Sequence, residues 1–298
     1  MITSKSLAAT SVIILALLPI FSQAQDDLMK ELEAQDKNAT QYIGQTFKGS
    51  RLVNGQSVET KGKGELEIIF SHRFGTINSG FYNYFGLDEA VMRMGFEYGI
   101  TDRLGVSVGR SSNDKTFDGY LKYKVARQRK GSRNFPFTIT AVGTGMIKSS
   151  PKASDNPDVL FVDRLAYVGE VLIARKFTPA FSAQVTPIFV HRNSISGSIE
   201  NNDDIAIGMG GRYKITKSMA ITAEYFYRLD PHENTPYYNS IGFGIDIETG
   251  GHVFQMVFTN SLGMIDRTVV AETAGNFSDG DIHFGFNITR AFYPGKKK

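Results

Sequence analysis

The sequence predicts an all-β fold: a single antiparallel transmembrane β-barrel of about 12 strands, with short periplasmic turns on one rim and long extracellular loops on the other. Three observations carry this. Apolar and polar residues alternate with period two in segments of about ten residues. After residue 24 no apolar run approaches the roughly 20 residues that a membrane helix needs. The connections between the alternating segments are in turn short and long. In AVMRMGFEYGI, residues 90–100, Ala90, Met92, Met94, Phe96, Tyr98 and Ile100 form one apolar face. Its reverse carries Val91, Arg93, Gly95, Glu97 and Gly99. An apolar face backed by Arg, Glu and Gly suits a wall with lipid on one side and a polar lumen on the other.

Composition narrows the function classes. The chain has 298 residues and no cysteine, which excludes disulfides and thiolate metal sites. A net charge of +3, evenly spread, argues against a nucleic-acid partner. Hydrophobic content of 41% suits a barrel, in which only alternate residues meet lipid.

Residues 1–24 read as a cleaved signal peptide. Lys5 supplies the positive region, the run from Val12 to Leu18 the apolar one, and Ser22-Gln-Ala24 the cleavage site. Residues 25–64 stand apart from the alternating series as a periplasmic N-terminal segment or a partial plug. A polar helix is expected within 26–37, then a short strand with an Asn54-Gly55 turn. The barrel occupies 65–293, and 294–298 is a basic tail.

Twelve strands follow in order. The first, 65–74, puts Leu66, Ile68 and Phe70 on its apolar face, and the second and third fill 90–110. The fourth, 117–125, opposes Phe117, Leu121 and Tyr123 to Asp118, Lys122 and Lys124. The fifth, 135–145, alternates Phe137, Ile139 and Ala141 with threonines. The sixth, 165–177, sets Tyr167, Val171 and Ile173 against Glu170, whereas the seventh, 181–191, reads either way. The eighth opposes Ile205, Ile207 and Met209 to Gly208, Gly210 and Arg212; the ninth opposes Ile221 and Tyr225 to Thr222, Glu224 and Arg228. The last three place Phe243, Ile245, Phe254, Met256, Phe284 and Phe286 on the apolar face. Tight turns begin at Thr101, Thr178, Thr216 and Thr249, with a longer basic turn at 127–134. Long polar loops lie near 75–88, 111–116, 147–163, 192–203, 230–238 and 261–279. Tyr98, Tyr213, Tyr227 and Phe292 suit interfacial girdles.

The stretch DIETGGHVFQMVFTNSLGM, residues 246–264, resembles the signature of an uncharacterised membrane-bound β-barrel family common in Bacteroidota. Further similarity lies in RLVNGQSV at 51–58, GELE at 64–67, SHRFG at 71–75 and IARKF at 173–177. It continues in VHRN at 190–193, GGRY at 210–213 and GDIHFGFN at 280–287. The resemblance spans nearly the whole mature chain. It implies a barrel in the outer membrane of a Gram-negative bacterium and carries no established activity or catalytic residue.

By parity, the lumen-lining candidates are Arg93, Glu97, Lys122, Glu170, Arg212, Glu224, Arg228, Asp246, Glu248 and His283. The lipid-facing set is Met92, Met94, Phe96, Ile221, Phe243, Ile245, Phe284 and Phe286. Eight strands make an interior that side chains just fill and 16 to 18 leave an aqueous channel. Twelve leaves a narrow pore and a closed, ion-paired interior both open. His72, His191 and His283 fall near the outer rim without the spacing of a metal motif. A hydrolase site would draw on His252, Asn260 and Ser261, but a strand rise of about 3.3 Å per residue separates its ends by roughly 30 Å.

The favoured function is a narrow, weakly selective pore for small hydrophilic solutes, with no enzyme activity and no cofactor. The alternative is a closed barrel acting as a scaffold, whose loops 147–163 and 261–279 bind a partner; an outer-membrane hydrolase comes third. Expected surroundings are outer-membrane lipid and the barrel-assembly machinery, with a periplasmic or surface protein as a further partner and no nucleic acid.

Overall fold

The computed structural model describes residues 39–150, 160–195 and 201–294. The expected signal peptide, the helix within 26–37 and the basic tail from 295 onward lie outside the described residues.

Twelve antiparallel strands close into one barrel. They are β1 (Leu66–Thr76), β2 (Ala90–Gly99), β3 (Leu104–Ser111), β4 (Thr116–Ala126), β5 (Thr138–Lys148) and β6 (Leu165–Lys176). They continue with β7 (Phe181–Arg192), β8 (Asp203–Lys214), β9 (Met219–Arg228), β10 (Ser240–Thr249), β11 (His252–Thr259) and β12 (His283–Phe292). Each pairs with its neighbours in sequence. β12 closes on β1 from His283 opposite Thr76 to Phe292 opposite Leu66, with one register shift between His283 and Gly285. Closure leaves no strand edge, as hydrocarbon demands of any spanning sheet.

Three tight turns share a device. The Thr101 hydroxyl accepts the N–H groups of Arg103 and Leu104, Thr178 those of Ala180 and Phe181, and Thr216 those of Ser218 and Met219. A threonine side chain thus replaces water at the turn amides and pins each hairpin's register. The basic turn is longer for a structural reason. Residues 129–136 belong with residues 39–42 in a separate small unit, where Gln41 pairs with Lys130 and Tyr42 with Arg129.

Side chains alternate strictly across the wall. Met92, Met94, Phe96, Ile221 and Phe243 are exposed on the outer face, and Ile245, Phe284 and Phe286 lie half-buried on it. Tyr98, Tyr213 and Tyr227 are exposed at strand ends. An outer face carrying this many exposed apolar side chains is what a lipid-facing wall requires and what monomers in water rarely show.

The interior is filled by the chain itself. Residues 46–61 enter from the short-turn end, where the Gly64 N–H donates to the Gly99 carbonyl at 2.8 Å. Inside they form a small hairpin: Leu52 N–H bonds the Gly55 carbonyl and Ser57 N–H the Ser50 carbonyl, each at 2.9 Å. From the other end, the connection between β11 and β12 folds inward and winds helix α1 (Asp266–Ala271), all of whose residues are buried. This differs from the expectation of an outward loop across 261–279, because the apolar Ile265, Val269 and Val270 bury against the wall.

Two apolar clusters hold these fillings. Met146, Val168, Ile188, Val190 and Phe226 pack on Ile265, Val269 and Val270. Phe47, Leu52 and Val58 pack on Tyr120, Val142 and Leu172. The inner faces of β6 and β7 thus carry apolar residues as well, Val168, Leu172, Ile188 and Val190 beside Glu170, Gln184 and Thr186, which is why β7 shows no clear polar side in the sequence.

Arginine placed at Phe243 or Ile245 should cost about 2–4 kcal/mol near mid-bilayer, measured as a shift in urea-dependent refolding into vesicles. At inward Gly244 a Cβ would already lie 2.4 Å from the Thr222 hydroxyl and 2.9 Å from the Gln255 amide. Gly244→Arg should therefore fail by crowding, whatever the bilayer thickness. Equal tolerance at all three positions would contradict the assigned faces.

Candidate functional site: the filled lumen

Among the described residues, many charged side chains converge in the lumen and are buried there. Arg73, Arg93, Lys122 and Glu97 are at most 1% exposed. An aqueous channel would wet the charges that line it, so no open path runs past these four. Each buried charge then needs a partner inside the protein.

Partners come first from strand to strand. Arg93 on β2 forms a two-pronged pair with Asp118 on β4, and the Tyr120 hydroxyl donates to Glu97 at 3.0 Å. Near the short-turn end Arg212 pairs with Asp246 at 3.2 Å and also with Glu248. Towards the long-loop end Asp204 receives both Arg192 at 2.6 Å and Arg228 at 2.7 Å. Arg192 and Arg267 then meet Glu272 at 3.5 and 3.3 Å, which ties the inward-folded loop to the wall.

The remaining partners come from the hairpin. The two oxygens of Glu224 on β9 accept three backbone N–H groups at its turn: Val53 at 3.1 Å, Asn54 at 2.8 Å and Gly55 at 3.0 Å. Charge-assisted bonds of this type are the strong ones. Gly55 is required there because any Cβ would sit 2.5 Å from the Phe226 ring. Arg73 on β1 donates to the Asn54 side chain at 2.8 Å, and Lys122 on β4 to the Ser50 carbonyl at 3.0 Å. Lys61 pairs with Glu67 at 2.6 Å and Lys124 with Glu59 at 3.3 Å.

The two fillings also grip each other. Arg51 of the hairpin lies 3.2 Å from Asp266 of α1, which also accepts from Gln56 at 3.2 Å and from Thr144 at 3.0 Å. Burial alone would push the Asp266 carboxyl up. The Arg51 guanidinium, aided by the Gln56 and Thr144 donors, outweighs it and holds the pKa below the usual carboxylate range.

All ten lumen candidates point inward. Arg93, Glu97, Lys122, Glu170, Glu224, Arg228, Asp246 and His283 are buried, while Arg212 and Glu248 are half-buried. Arg93, Arg212, Arg228, Asp246 and Glu248 enter separate ion pairs, whereas Glu97, Lys122, Glu224 and His283 meet hydroxyl or main-chain groups, so the ten do not form one lining. Parity also places Asp118 inward and could have found Arg73 and Asp204, whereas Arg192 ends the strand that reads either way. Asp266 and Arg267 lie in a loop and give no such signal. The three rim histidines diverge: His72 stacks on Phe286 outside, His191 meets Asp203 at 2.6 Å outside, and His283 bonds the Phe74 carbonyl inside. Among the described residues no cluster of three His, Cys, Asp or Glu could hold a metal ion. Ser261 is buried and donates to the Gly263 carbonyl at 3.3 Å, while His252 sits at the far end of β11 opposite Thr249.

The model for the membrane bound beta barrel domain, a domain of unknown function, matches residues 47–292. The chain belongs to that family. The match begins inside the hairpin segment, so the domain comprises the filling as well as the wall. No curated protein matches the chain. Similar solved structures include the KdgM porin, 10% identical, with 76% of this chain and 99% of that one covered and a TM-score of 0.48. Another is the KdgM porin in complex with disordered oligogalacturonate, with the same identity and coverage and a TM-score of 0.47. A Rhodopseudomonas blastica porin triple mutant is 12% identical, with 68% of this chain and 55% of that one covered and a TM-score of 0.33.

The depressed Asp266 pKa has a defined consequence. A carboxyl held low in the folded state stabilises it above its unfolded value near pH 4, and that stabilisation is lost as the pH falls further. Amide exchange of residues 50–58, corrected for intrinsic rates, should therefore speed up below about pH 4. The Asp266→Asn variant should lack this step; an unchanged pH profile would remove the carboxylate from the account.

Proposed function

We propose that this membrane-bound barrel lies in the bacterial outer membrane as a pore shut by its own N-terminal segment. Small hydrophilic solutes pass only when residues 46–61 are withdrawn. The observation that carries this reading is the nature of the filling. A twelve-stranded wall encloses more than its own side chains fill, and here the excess is taken by a segment outside the sheet. Withdrawal would expose a lumen ringed by Arg73, Lys122, Glu67 and Glu224, which are charges of both signs. Weak ion selectivity follows from that balance.

A closed scaffold is the second reading, favoured by the ion pairs that β2, β4, β7, β8 and β9 complete without the hairpin. A cavity of about 500 Å³ at the long-loop end, lined in part by Asp114, Lys148, Tyr237, Glu272 and His283, would be its docking place. A surface or periplasmic protein, lipid and the assembly machinery are the partners this location proposes.

Single-channel recording in planar bilayers separates the two. The full-length protein should be silent or open in brief bursts. Glu224→Gln weakens the anchor of three hairpin amides and should lengthen those bursts several-fold, since a charge-assisted bond contributes about 1.5–3 kcal/mol. Silence from the wild type, from Glu224→Gln and from a chain lacking residues 46–61, each verified as folded, would leave the scaffold.

A further inference from the structure

The way the wall holds the hairpin points to a definite class of ligand. Its polar side chains address the hairpin's main chain more often than its side chains. Glu224 accepts three N–H groups, as described. Gln184 on β7 makes two bonds, accepting from Val58 N–H at 3.0 Å and donating to the Gln56 carbonyl at 2.8 Å. Thr140 on β5 donates to the Val58 carbonyl at 2.8 Å and Lys122 to that of Ser50. Gln255 on β11 donates to the Leu52 carbonyl at 2.6 Å, and Asn287 on β12 to that of Val53 at 2.9 Å.

Six side chains on six different strands thus make nine bonds to the main chain of residues 50–58. Side-chain bonds from the wall concentrate on Ser50, Asn54, Glu59 and Lys61. Amide, hydroxyl and carboxylate groups spaced to meet successive peptide groups are what an extended polypeptide requires. A sugar or a small ion would leave most of them buried and unpaired, which is unfavourable for each group.

We infer that the lumen is a receptor for an extended polypeptide folded into a tight turn, and that residues 46–61 occupy it as an internal ligand. The inference rests on the shut-pore reading and names the class of molecule the withdrawn segment makes way for. Such a segment enters from the short-turn end, as residues 46–61 do, and places its turn amides on Glu224. The chain's own copy holds the site by tethering, because a short linker supplies an effective concentration of the order of millimolar.

The test severs the tether and leaves the chain otherwise whole. A single protease site is inserted at exposed Lys63 and cut after folding into detergent micelles. The nicked protein is then offered synthetic peptides spanning residues 43–62, and native mass spectrometry reads exchange against the resident fragment. Three peptides decide the matter. One has the native sequence. One carries Val53→Ala, Gln56→Ala and Ser57→Ala. One keeps every side chain but is N-methylated at Val53, Asn54 and Gly55, so it cannot donate to Glu224.

The first two should exchange within about ten-fold of each other and the third more than about 100-fold less well, since it loses three charge-assisted bonds. Equal exchange by the N-methylated peptide would overturn main-chain recognition. Exchange by none of the three would overturn the receptor. The bilayer recordings, which use no added peptide, decide the shut pore separately.

Discussion

A buried charge in a membrane barrel has no water to turn to, and that constraint organises this molecule from the inside. Twelve strands enclose a volume their own side chains leave partly empty, and the wall carries inward Arg73, Lys122, Glu67, Glu170 and Glu224. Left wet, these residues would line a channel. Here they are dry, so the chain must supply their partners. It does so with a hairpin from one end and a loop helix from the other, which meet at Arg51 and Asp266. Breaking one partner of such a network costs more than the pair contributes, because the survivor stays buried and unpaired.

The two halves of the lumen meet this requirement differently. Along β5 to β8 the inner face interleaves apolar with polar residues, and Val168, Leu172, Ile188 and Val190 bury against α1 and the hairpin. Burial there contributes through area and packing, at about 25 cal/mol per Å². Along β9 to β12 and round to β4 the inner face is polar, and bonds with direction replace area. The hairpin lies between the two, with Leu52 and Val58 turned to one side and its turn amides to the other. A filling with one apolar flank and one hydrogen-bonded flank has a single orientation, which gives the tethered segment a defined seat.

The outer architecture was legible because period two is a local property. Met92, Met94 and Phe96 declare their face without reference to any other strand, and the threonines at the tight turns declare the ends. β7 was ambiguous because Ile188 and Val190 point inward to pack on a helix that no local pattern announces. Asn54-Gly55 was legible as a turn. Its partner Glu224 lies 170 residues away, and nothing in either local sequence links them. Asp266 and Arg267 read as ordinary loop charges, yet both are buried.

By itself the sequence determined the strand count, the faces, the turn-and-loop asymmetry and the membrane class, since alternation and turn chemistry act between near neighbours. That the lumen is filled, which charges meet, and that residues 46–61 lie inside the wall emerge only once the barrel closes. Those outcomes depend on the volume left when β12 closes on β1 and on contacts between residues far apart in the chain. Such a volume belongs to the closed barrel as a whole, and no strand carries a record of it.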